Sequence, residues 1–168
     1  MTDIIRRQLT LFIQKNDGQY IEDIRSKFNP LQSELINSHV TLCREDEIED
    51  IGKILYNLTH LNQKEINVKF GQVAKFDNGK GALIPGTAEN EEFQELRQKV
   101  LKGVGVKPRR HEPHITLMHP RNSNCTDMIF EAIEKAKLPA QLIFNTISLI
   151  EQVNGEHWTV VKTFDLSE

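Results

Sequence analysis

The pattern of apolar and polar positions along the chain predicts seven β-strands. Alternation with a period of two indicates a half-buried strand, and a short apolar run between turn residues indicates a buried one. In the stretch 66–76 the alternation loses phase near Gly71, which predicts a β-bulge. Asn-Gly pairs at 78–79 and 154–155 predict hairpins. The predicted strands are residues 9–13, 37–43, 66–76, 82–84, a strand that contains residues 114–117, and residues 142–153 and 157–166.

Apolar residues that recur every three or four positions predict four helices between these strands. The predicted helices are residues 20–28, 45–61, 87–103 and about 126–136. The run at 16–18, Asn-Asp-Gly, is typical of a turn, and Pro30 is expected to end the first helix, so that an irregular stretch follows it. The element order is β-α-β-α-β followed by β-α-β-α-β-β. This order predicts one α+β domain built from two similar halves.

One four-residue motif occurs twice, each time on the strand between the two helices of a half. The copies read His39-Val-Thr-Leu and His114-Ile-Thr-Leu, and they lie nearly half the chain apart, as an internal duplication would place them. On a strand, the His and Thr side chains share one face, while the aliphatic residues take the other. Each copy therefore presents an imidazole beside a hydroxyl: His39 beside Thr41, and His114 beside Thr116.

Two imidazoles on matching strands can serve one reaction as proton acceptor and proton donor. Free histidine titrates near pH ~6.5, so one ring can be neutral while the other is protonated. Phosphodiester displacement needs such a pair, because the nucleophile loses a proton and the leaving oxygen gains one. The hydroxyls of Thr41 and Thr116 can donate to the non-bridging phosphate oxygens as charge builds there. The alternative is purely structural, with the motif threonines present for their β propensity.

The paired motifs resemble those of the 2H phosphoesterase superfamily, which includes the 2′-5′ RNA ligase-like proteins and cyclic phosphodiesterases. The resemblance implies a bilobal α+β fold with two pseudo-symmetric β-α-β-α-β lobes around a central cleft. In this chain the lobes would be formed by repeats at approximately residues 8–76 and 80–166 of a single domain over residues 1–168.

For function, the resemblance implies a metal-independent hydrolase of a 2′,3′-cyclic or 2′-5′ phosphodiester in a nucleotide or an RNA end. His39 and His114 would be the catalytic pair, and Thr41 and Thr116 would hold the phosphate. The related cyclic phosphodiesterases suggest His114 as the base and His39 as the acid. Two alternatives stay open: reversible 2′-5′ ligation of RNA ends by the same residues, and a module that binds a nucleotide or RNA end without significant turnover.

Three further residues near the motifs are candidates for substrate binding. Arg44 follows His39 by five residues and His119 follows His114 by five, so a duplication places them at equivalent positions beside the cleft. Arg121 lies two residues further along the chain. A guanidinium group suits a phosphate, although an arginine at a strand end can also be an ordinary solvated residue.

Charge and cysteine content limit the expected partners. The formal net charge of −3 argues against an extended nucleic-acid interface, so any nucleic acid is expected to be bound as an end or a small piece. Cys43 and Cys125 show no disulfide or zinc spacing, and the histidines at 111, 114 and 119 match no familiar metal set. No signal segment or transmembrane stretch is evident. We therefore expect a monomeric, cytoplasmic protein that uses no metal or cofactor.

Overall fold

The computed structural model describes residues 1–105, 107 and 109–167. Within these residues the chain forms nine β-strands and five α-helices. The strands are β1 (Ile5–Phe12), β2 (His39–Cys43), β3 (Ile66–Lys69), β4 (Ala74–Lys75), β5 (Ala82–Pro85), β6 (His114–Met118), β7 (Gln141–Phe144), β8 (Thr146–Val153) and β9 (Thr159–Asp165). The helices are α1 (Lys15–Phe28), α2 (Pro30–Leu35), α3 (Ile51–Thr59), α4 (Glu91–Val100) and α5 (Asp127–Glu134), and a 3-10 turn covers Glu45–Glu47.

Two antiparallel sheets organise the described part of the chain. The larger has seven strands in the order β4-β5-β6-β2-β1-β8-β9, and the smaller is the pair β3 and β7. The motif strands β2 and β6 are therefore neighbours at the centre of the larger sheet. Their inward residues, including Val40 and Ile115, belong to one hydrophobic core that also contains residues of the helices. The mixed α+β fold predicted from the element order is confirmed.

The strand register is the same around both motifs. β1 pairs with β2 so that Phe12 lies opposite His39, and β5 pairs with β6 so that Pro85 lies opposite His114. Each pairing then shifts by one residue at the motif leucine. A bulge of this kind bends the strand locally and changes the direction of nearby side chains. Both motifs therefore lie in the same local backbone geometry.

The helices that connect these strands cross between the two halves of the chain. α1, which lies between β1 and β2, contacts β6, whereas α4, between β5 and β6, contacts β2. Each motif strand thus packs against the helix of the other half. The single domain and the lobe limits, residues 8–76 and 80–166, stay predictions. The packing of each motif strand against the helix of the other half supports the prediction of a single domain.

Two predicted strands each divide where the chain passes from one sheet to the other. Residues 66–76 form β3 and β4 instead of one bulged strand. β3 pairs with β7, but the amide of Gly71 already donates to the carbonyl of Pro85 at 2.8 Å, beside β5. Residues 142–153 divide in the same way at Asn145 into β7 and β8. The prediction of continuous strands was wrong, because alternation along a strand does not show which sheet it joins.

The first helix begins before the predicted residue 20, and the predicted turn at 16–18 lies inside it. Gly18 is buried, and a Cβ atom there would lie 3.0 Å from Cγ2 of Ile13. This glycine therefore permits a close approach between α1 and β1 and does not form a turn. The stretch after Pro30 was expected to be irregular but forms α2, with the proline in its first turn, where the missing amide hydrogen is not needed.

The second and third predicted helices start later than expected because polar side chains before them make tertiary contacts. α3 begins at Ile51, since the acidic run before it forms a 3-10 turn in which Glu47 is buried. α4 begins at Glu91, since Asn90 binds the amide and the carbonyl of Lys69 at 2.8 and 2.9 Å. Sequence periodicity does not show these contacts.

The last helix begins as predicted. Thr126 is the N-cap of α5, and its hydroxyl accepts from the Ile129 amide at 3.2 Å. Among the helices in residues 1–105, 107 and 109–167, none is long and apolar enough to cross a membrane.

Candidate active site

A cleft of about 610 Å³ opens over the motif strands β2 and β6. His39, Thr41, His114 and Thr116 all line this cleft, and each is half-buried. The aliphatic residues between them are completely buried, as the alternation of strand faces requires. The structure therefore brings together the four residues predicted from the motifs.

The two motif strands meet at the same position of each motif. Val40 pairs with Ile115 across the antiparallel junction of β2 and β6. This register brings His39 to the side of Thr116 and Thr41 to the side of His114. A ligand in the cleft thus meets an imidazole and a hydroxyl on each side.

Both motif imidazoles are held through the same ring nitrogen. His39 Nδ1 lies 2.7 Å from the carbonyl oxygen of Asn37, and His114 Nδ1 lies 3.4 Å from that of Glu112. A carbonyl oxygen only accepts, so the hydrogen of the neutral ring lies on Nδ1 in each case. Nε2 is then the nitrogen that can accept or donate a proton at the ligand.

Burial makes both rings difficult to protonate. Phe12 contacts His39 edge to face at 6.1 Å between ring centroids, and Phe76 contacts His114 at 6.3 Å. His39 keeps part of its surface open to the cleft, yet desolvation by the surrounding protein lowers its pKa to about 4. The pKa of His114 is also lowered, first by desolvation and then by the charge of Arg44. Both rings are therefore mainly neutral at pH 7 in the free protein.

A glutamine that sequence analysis missed orients the Thr41 hydroxyl. Gln8 lines the cleft from β1, and its Nε2 donates to Thr41 Oγ1 at 3.3 Å and to Thr10 Oγ1 at 2.8 Å. Because the oxygen of Thr41 accepts this bond, its own hydrogen remains available to donate to a ligand. Thr116 lines the cleft from β6, beside the second imidazole.

Arg44 lines the cleft from the loop after β2. A buried ion pair holds this loop: Arg97, on α4, donates to Glu47 at 2.7 Å and to the carbonyl of Leu42 at 2.6 Å. Glu47 also accepts from the backbone amide of Arg44 at 2.9 Å. The position of Arg44 therefore depends on the helix of the other half.

His119 and Arg121 line the cleft from the equivalent loop after β6. Asn29, which follows α1, holds this loop by accepting from the His119 amide at 2.8 Å and donating to Asn122 Oδ1 at 3.0 Å. His119 Nδ1 accepts from the Arg121 amide at 3.1 Å, so the hydrogen of the neutral ring lies on Nε2 and can be donated. Arg44 and His119 therefore both line the cleft, each from the loop after its motif strand, and their role in substrate binding stays a prediction.

The histidine cluster near the second motif is spread over several environments. His111 is 4% exposed, and its Nε2 has no hydrogen-bond partner among the described residues. Desolvation lowers its pKa to about 4. Its ring centroid lies 6.1 Å from that of His114. Within residues 1–105, 107 and 109–167, no group of three His, Cys, Asp or Glu side chains is placed to hold a metal ion.

A sequence profile of a known family matches most of the chain. A profile of the 2′-5′ RNA ligase superfamily matches residues 14–156, which include both motifs. The chain belongs to this superfamily. This result confirms the resemblance to the 2H phosphoesterases and supports a phosphoesterase-type enzyme in general terms. No curated protein matches the chain significantly.

Solved structures show that the fold is that of the superfamily. Two crystal structures of E. coli LigT, complexed with NADP+ and with 3′-AMP, are 15% identical to the chain, with TM-scores of 0.68 and 0.67. Both matches cover 97% of this chain and 98% of LigT. A crystal structure of a phosphoesterase is 14% identical with a TM-score of 0.68, and the match covers 98% of this chain and 100% of that chain. At these identities the likeness concerns the fold alone.

Two arginines of this superfamily member line the cleft but were not predicted. Arg25 on α1 is 2% exposed. It lies four residues after Ile21, on the apolar side of the helix, where a charged side chain needs a partner. This position on the apolar side is the sequence feature that could have identified Arg25. Arg6 lies over the ring of Trp158 at 5.3 Å, and both line the cleft. Their contact joins residues that are distant in sequence, so sequence spacing does not show it.

Proposed function

We propose that this member of the 2′-5′ RNA ligase superfamily hydrolyses a 2′,3′-cyclic or 2′-5′ phosphodiester of a nucleotide or RNA end, with His39 and His114 as the proton-transfer pair. One observation carries the proposal. The paired motif strands place two imidazoles and two hydroxyls on the wall of a single cleft, each ring with Nε2 as its reactive nitrogen.

The chemistry requires only proton transfers and phosphate stabilisation by the protein. One neutral imidazole accepts a proton at Nε2 from water as the water oxygen bonds to phosphorus. The bond between phosphorus and the leaving ribose oxygen breaks, and the second, protonated imidazole gives its Nε2 proton to that oxygen. The two rings end with exchanged protonation states, and exchange with solvent restores them. Bound phosphate favours the required protonated ring, because its negative charge raises the pKa of a nearby imidazole.

The remaining polar groups suit the charge of the phosphate. Thr41 and Thr116 can donate hydrogen bonds to its non-bridging oxygens. Because Gln8 donates to the oxygen of Thr41, the hydroxyl hydrogen of Thr41 stays free to be donated to the phosphate. Arg44 and Arg121 add positive charge at the two loops beside the motifs. A guanidinium is permanently charged and can hold an anion through two parallel bonds.

A nucleotide is the ligand class that fits the lining best. The cleft combines basic side chains with Trp158, whose ring can stack on a base. LigT was crystallised with 3′-AMP, with ATP and with NADP+, and these ligands join a nucleoside to phosphate. The net charge of −3 fits a short ligand better than a long nucleic acid.

The test is hydrolysis of the four nucleoside 2′,3′-cyclic phosphates in excess chelator. We expect turnover by the wild type and a loss of at least about 100-fold in His39→Ala and in His114→Ala, since a general acid or base contributes ~10²–10⁴-fold. His60→Ala is the matched control, because this exposed histidine lies outside the cleft. The isomer of the product identifies the oxygen that leaves.

Two results would contradict the proposal. Equal turnover in wild type and both variants would show that the motif histidines do not transfer the protons. Absence of turnover with the cyclic phosphates and with a 2′-5′-linked dinucleotide would point instead to a binding module. Dependence on an added metal ion would overturn only the metal-independent form of the mechanism.

A further inference from the structure

An ion pair between the buried Arg25 and the half-buried Glu22 holds the segment that precedes His39. Arg25 donates from Nη1 to Glu22 Oε1 at 2.9 Å and from Nη2 to the carbonyl of Ile36 at 2.7 Å. The same carboxylate oxygen of Glu22 accepts from the backbone amide of Ser38. The pair therefore fixes the residues on both sides of Asn37 to helix α1.

The residue between these two anchors holds the imidazole. The carbonyl of Asn37 accepts from His39 Nδ1 at 2.7 Å. The carbonyl of Ser38 is fixed separately, by the amide of Ile13 at 3.2 Å. A peptide plane that is fixed at both ends cannot turn its carbonyl away without breaking these bonds. The path from the ion pair to the ring thus passes through a single peptide group.

The second motif repeats part of this construction without the charges. Gln94 Nε2 donates to the carbonyl of His111 at 2.8 Å, at the position three residues before His114. The amide of Gly86 donates to the carbonyl of Pro113 at 2.8 Å. The backbone carbonyl oxygen of Glu112, between these two anchors, lies 3.4 Å from His114 Nδ1. A neutral amide therefore anchors the segment before His114 at one point, since Pro113 has no amide hydrogen to donate, and the bond to the ring is longer.

We propose that Glu22 and Arg25 are positioning residues that keep His39 in its Nδ1–H tautomer with Nε2 directed at the substrate. The inference rests on the proposed function, in which His39 transfers a proton. An imidazole without this constraint can flip about its ring axis or carry its hydrogen on Nε2, and either change removes the reactive lone pair from the cleft.

The charge of Arg25 adds an electrostatic effect to the geometric one. Arg25 is almost completely buried and lines the cleft. After desolvation and the Asn37 bond, its positive charge is the next influence on His39 and disfavours the imidazolium, while Glu22 favours it and His114 disfavours it. Gln94 is neutral, and the charge that acts on His114 is that of Arg44 in the loop after β2. The two imidazoles are therefore inequivalent even though their motifs match.

The experiment measures the tautomer of His39 directly, by 15N NMR of the histidine rings in the full chain without substrate. The variants are Arg25→Met and the double change Glu22→Leu with Arg25→Met. The double variant leaves no unpaired buried charge if the single one does not fold. Arg7→Met is the control, because Arg7 forms an exposed pair with Glu151 on the same sheet. Gln94→Leu is the matched change in the other half.

We expect the wild type to show Nδ1–H for His39, and the Arg25 variants to show a mixture of tautomers. Hydrolysis in these variants should lose about 10–100-fold in kcat with little change in KM, the range typical of residues that orient a reactive group. Gln94→Leu should alter the signals of His114 and leave those of His39 unchanged. Arg7→Met should alter neither.

An unchanged Nδ1–H signature in the folded double variant would overturn the inference. A fall in kcat with an unchanged tautomer would also overturn it, because Arg25 would then act on the substrate and not on His39. The tautomer measurement needs no turnover, so it separates this inference from the proposed function. If His39→Ala kept full activity, the proposed function would fail while the NMR result still decided the role of the ion pair.

Discussion

Arg97 and Glu47 form an ion pair at 2.7 Å in which both side chains are almost completely buried, at 2% and 3% exposure. The arginine comes from α4, in the second half of the chain, and the glutamate from the turn that follows the first motif strand. Glu47 also accepts a hydrogen bond from the backbone amide of Arg44. One buried contact therefore joins the two halves and places a candidate phosphate ligand.

Breaking this pair should destabilise the protein strongly. We expect Arg97→Met to reduce the free energy of unfolding by about 3–5 kcal/mol, because Glu47 would remain charged and buried without its ion-pair partner. The measurement is urea unfolding at pH 7. Arg7→Met removes an exposed partner of Glu151 and should change the free energy by less than about 1 kcal/mol. Equal losses in both variants would show that burial of the Arg97 pair has no special importance.

Removal of a motif hydroxyl should reduce catalysis without affecting the fold. We expect Thr41→Val and Thr116→Val each to lower kcat by about 10²-fold, since one donor to the charged transition state has about this effect. Thr163→Val is the control, because Thr163 is exposed on β9. Unchanged thermal unfolding together with unchanged kcat in both motif variants would exclude a role for the hydroxyls.

The pH profile of kcat/KM should be bell-shaped and lie on the acidic side of the value for free histidine, about 6.5. This parameter reports the free protein, in which burial lowers the pKa of His39 to about 4 and also lowers that of His114. Below both pKa values both rings are protonated and no base remains. Above both values both rings are neutral and no acid remains. A limb at or above pH 7 would contradict this electrostatic description.

His111 should make the protein less stable in mild acid. Its pKa is about 4 in the folded chain and about 6.5 when unfolded, so between these values the unfolded chain binds more protons. Stability therefore falls as the pH drops through this window. His111→Phe removes this loss, and it also removes the buried Nε2 that has no hydrogen-bond partner in the described part of the chain. This change should raise the free energy of unfolding by about 1–3 kcal/mol at pH 5.

Urea unfolding of His111→Phe and wild type at pH 5 and pH 7.5 would measure this effect. The gain should be larger at pH 5. His60→Phe is the control, because His60 is exposed. A variant with the same pH dependence as wild type would show that His111 does not titrate differently in the folded state.

Two helical glycines should respond in opposite ways to alanine. Gly52 in α3 has only Asp50 Oδ1, at 3.9 Å, near the position of an added Cβ, so Gly52→Ala should stabilise the protein by about 0.5 kcal/mol. Gly18 in α1 has Ile13 Cγ2 at 3.0 Å from that position. Gly18→Ala should therefore leave the stability of the protein unchanged or lower it. Thermal unfolding of both variants checks the difference, and equal gains would show that α1 has room to move.

The residues of the candidate site were predictable because each motif is local. His39 and Thr41 are two residues apart on one strand, and their relative position follows from the strand period alone. Duplication then predicted His114 and Thr116, and the matching places of Arg44 and His119. These inferences needed only the face of the strand on which a side chain lies and the spacing of residues along that strand. A single strand supplies both.

The groups that position these residues were not predictable in the same way. Gln8, Arg25 and Asn29 act through partners that are distant in sequence or lie on another element. Gly18 has the composition of a turn but serves a close contact between a helix and a strand. Periodicity reports which face of an element is apolar, and it contains no information about which element packs on that face.

The sequence by itself determined the α+β class, the two motifs and the side chains that each strand presents to the cleft, because these depend on local backbone geometry. The tertiary structure alone decided that β2 and β6 are neighbours, that residues 66–76 and 142–153 each divide between two sheets, and that α1 and α4 cross to the other half. Strand pairing and helix packing depend on the sum of many contacts between distant residues. The electrostatic difference between His39 and His114 arises at this level, since it comes from burial, from Arg25 and Glu22 of α1 beside His39, and from Arg44 of the loop after β2 beside His114.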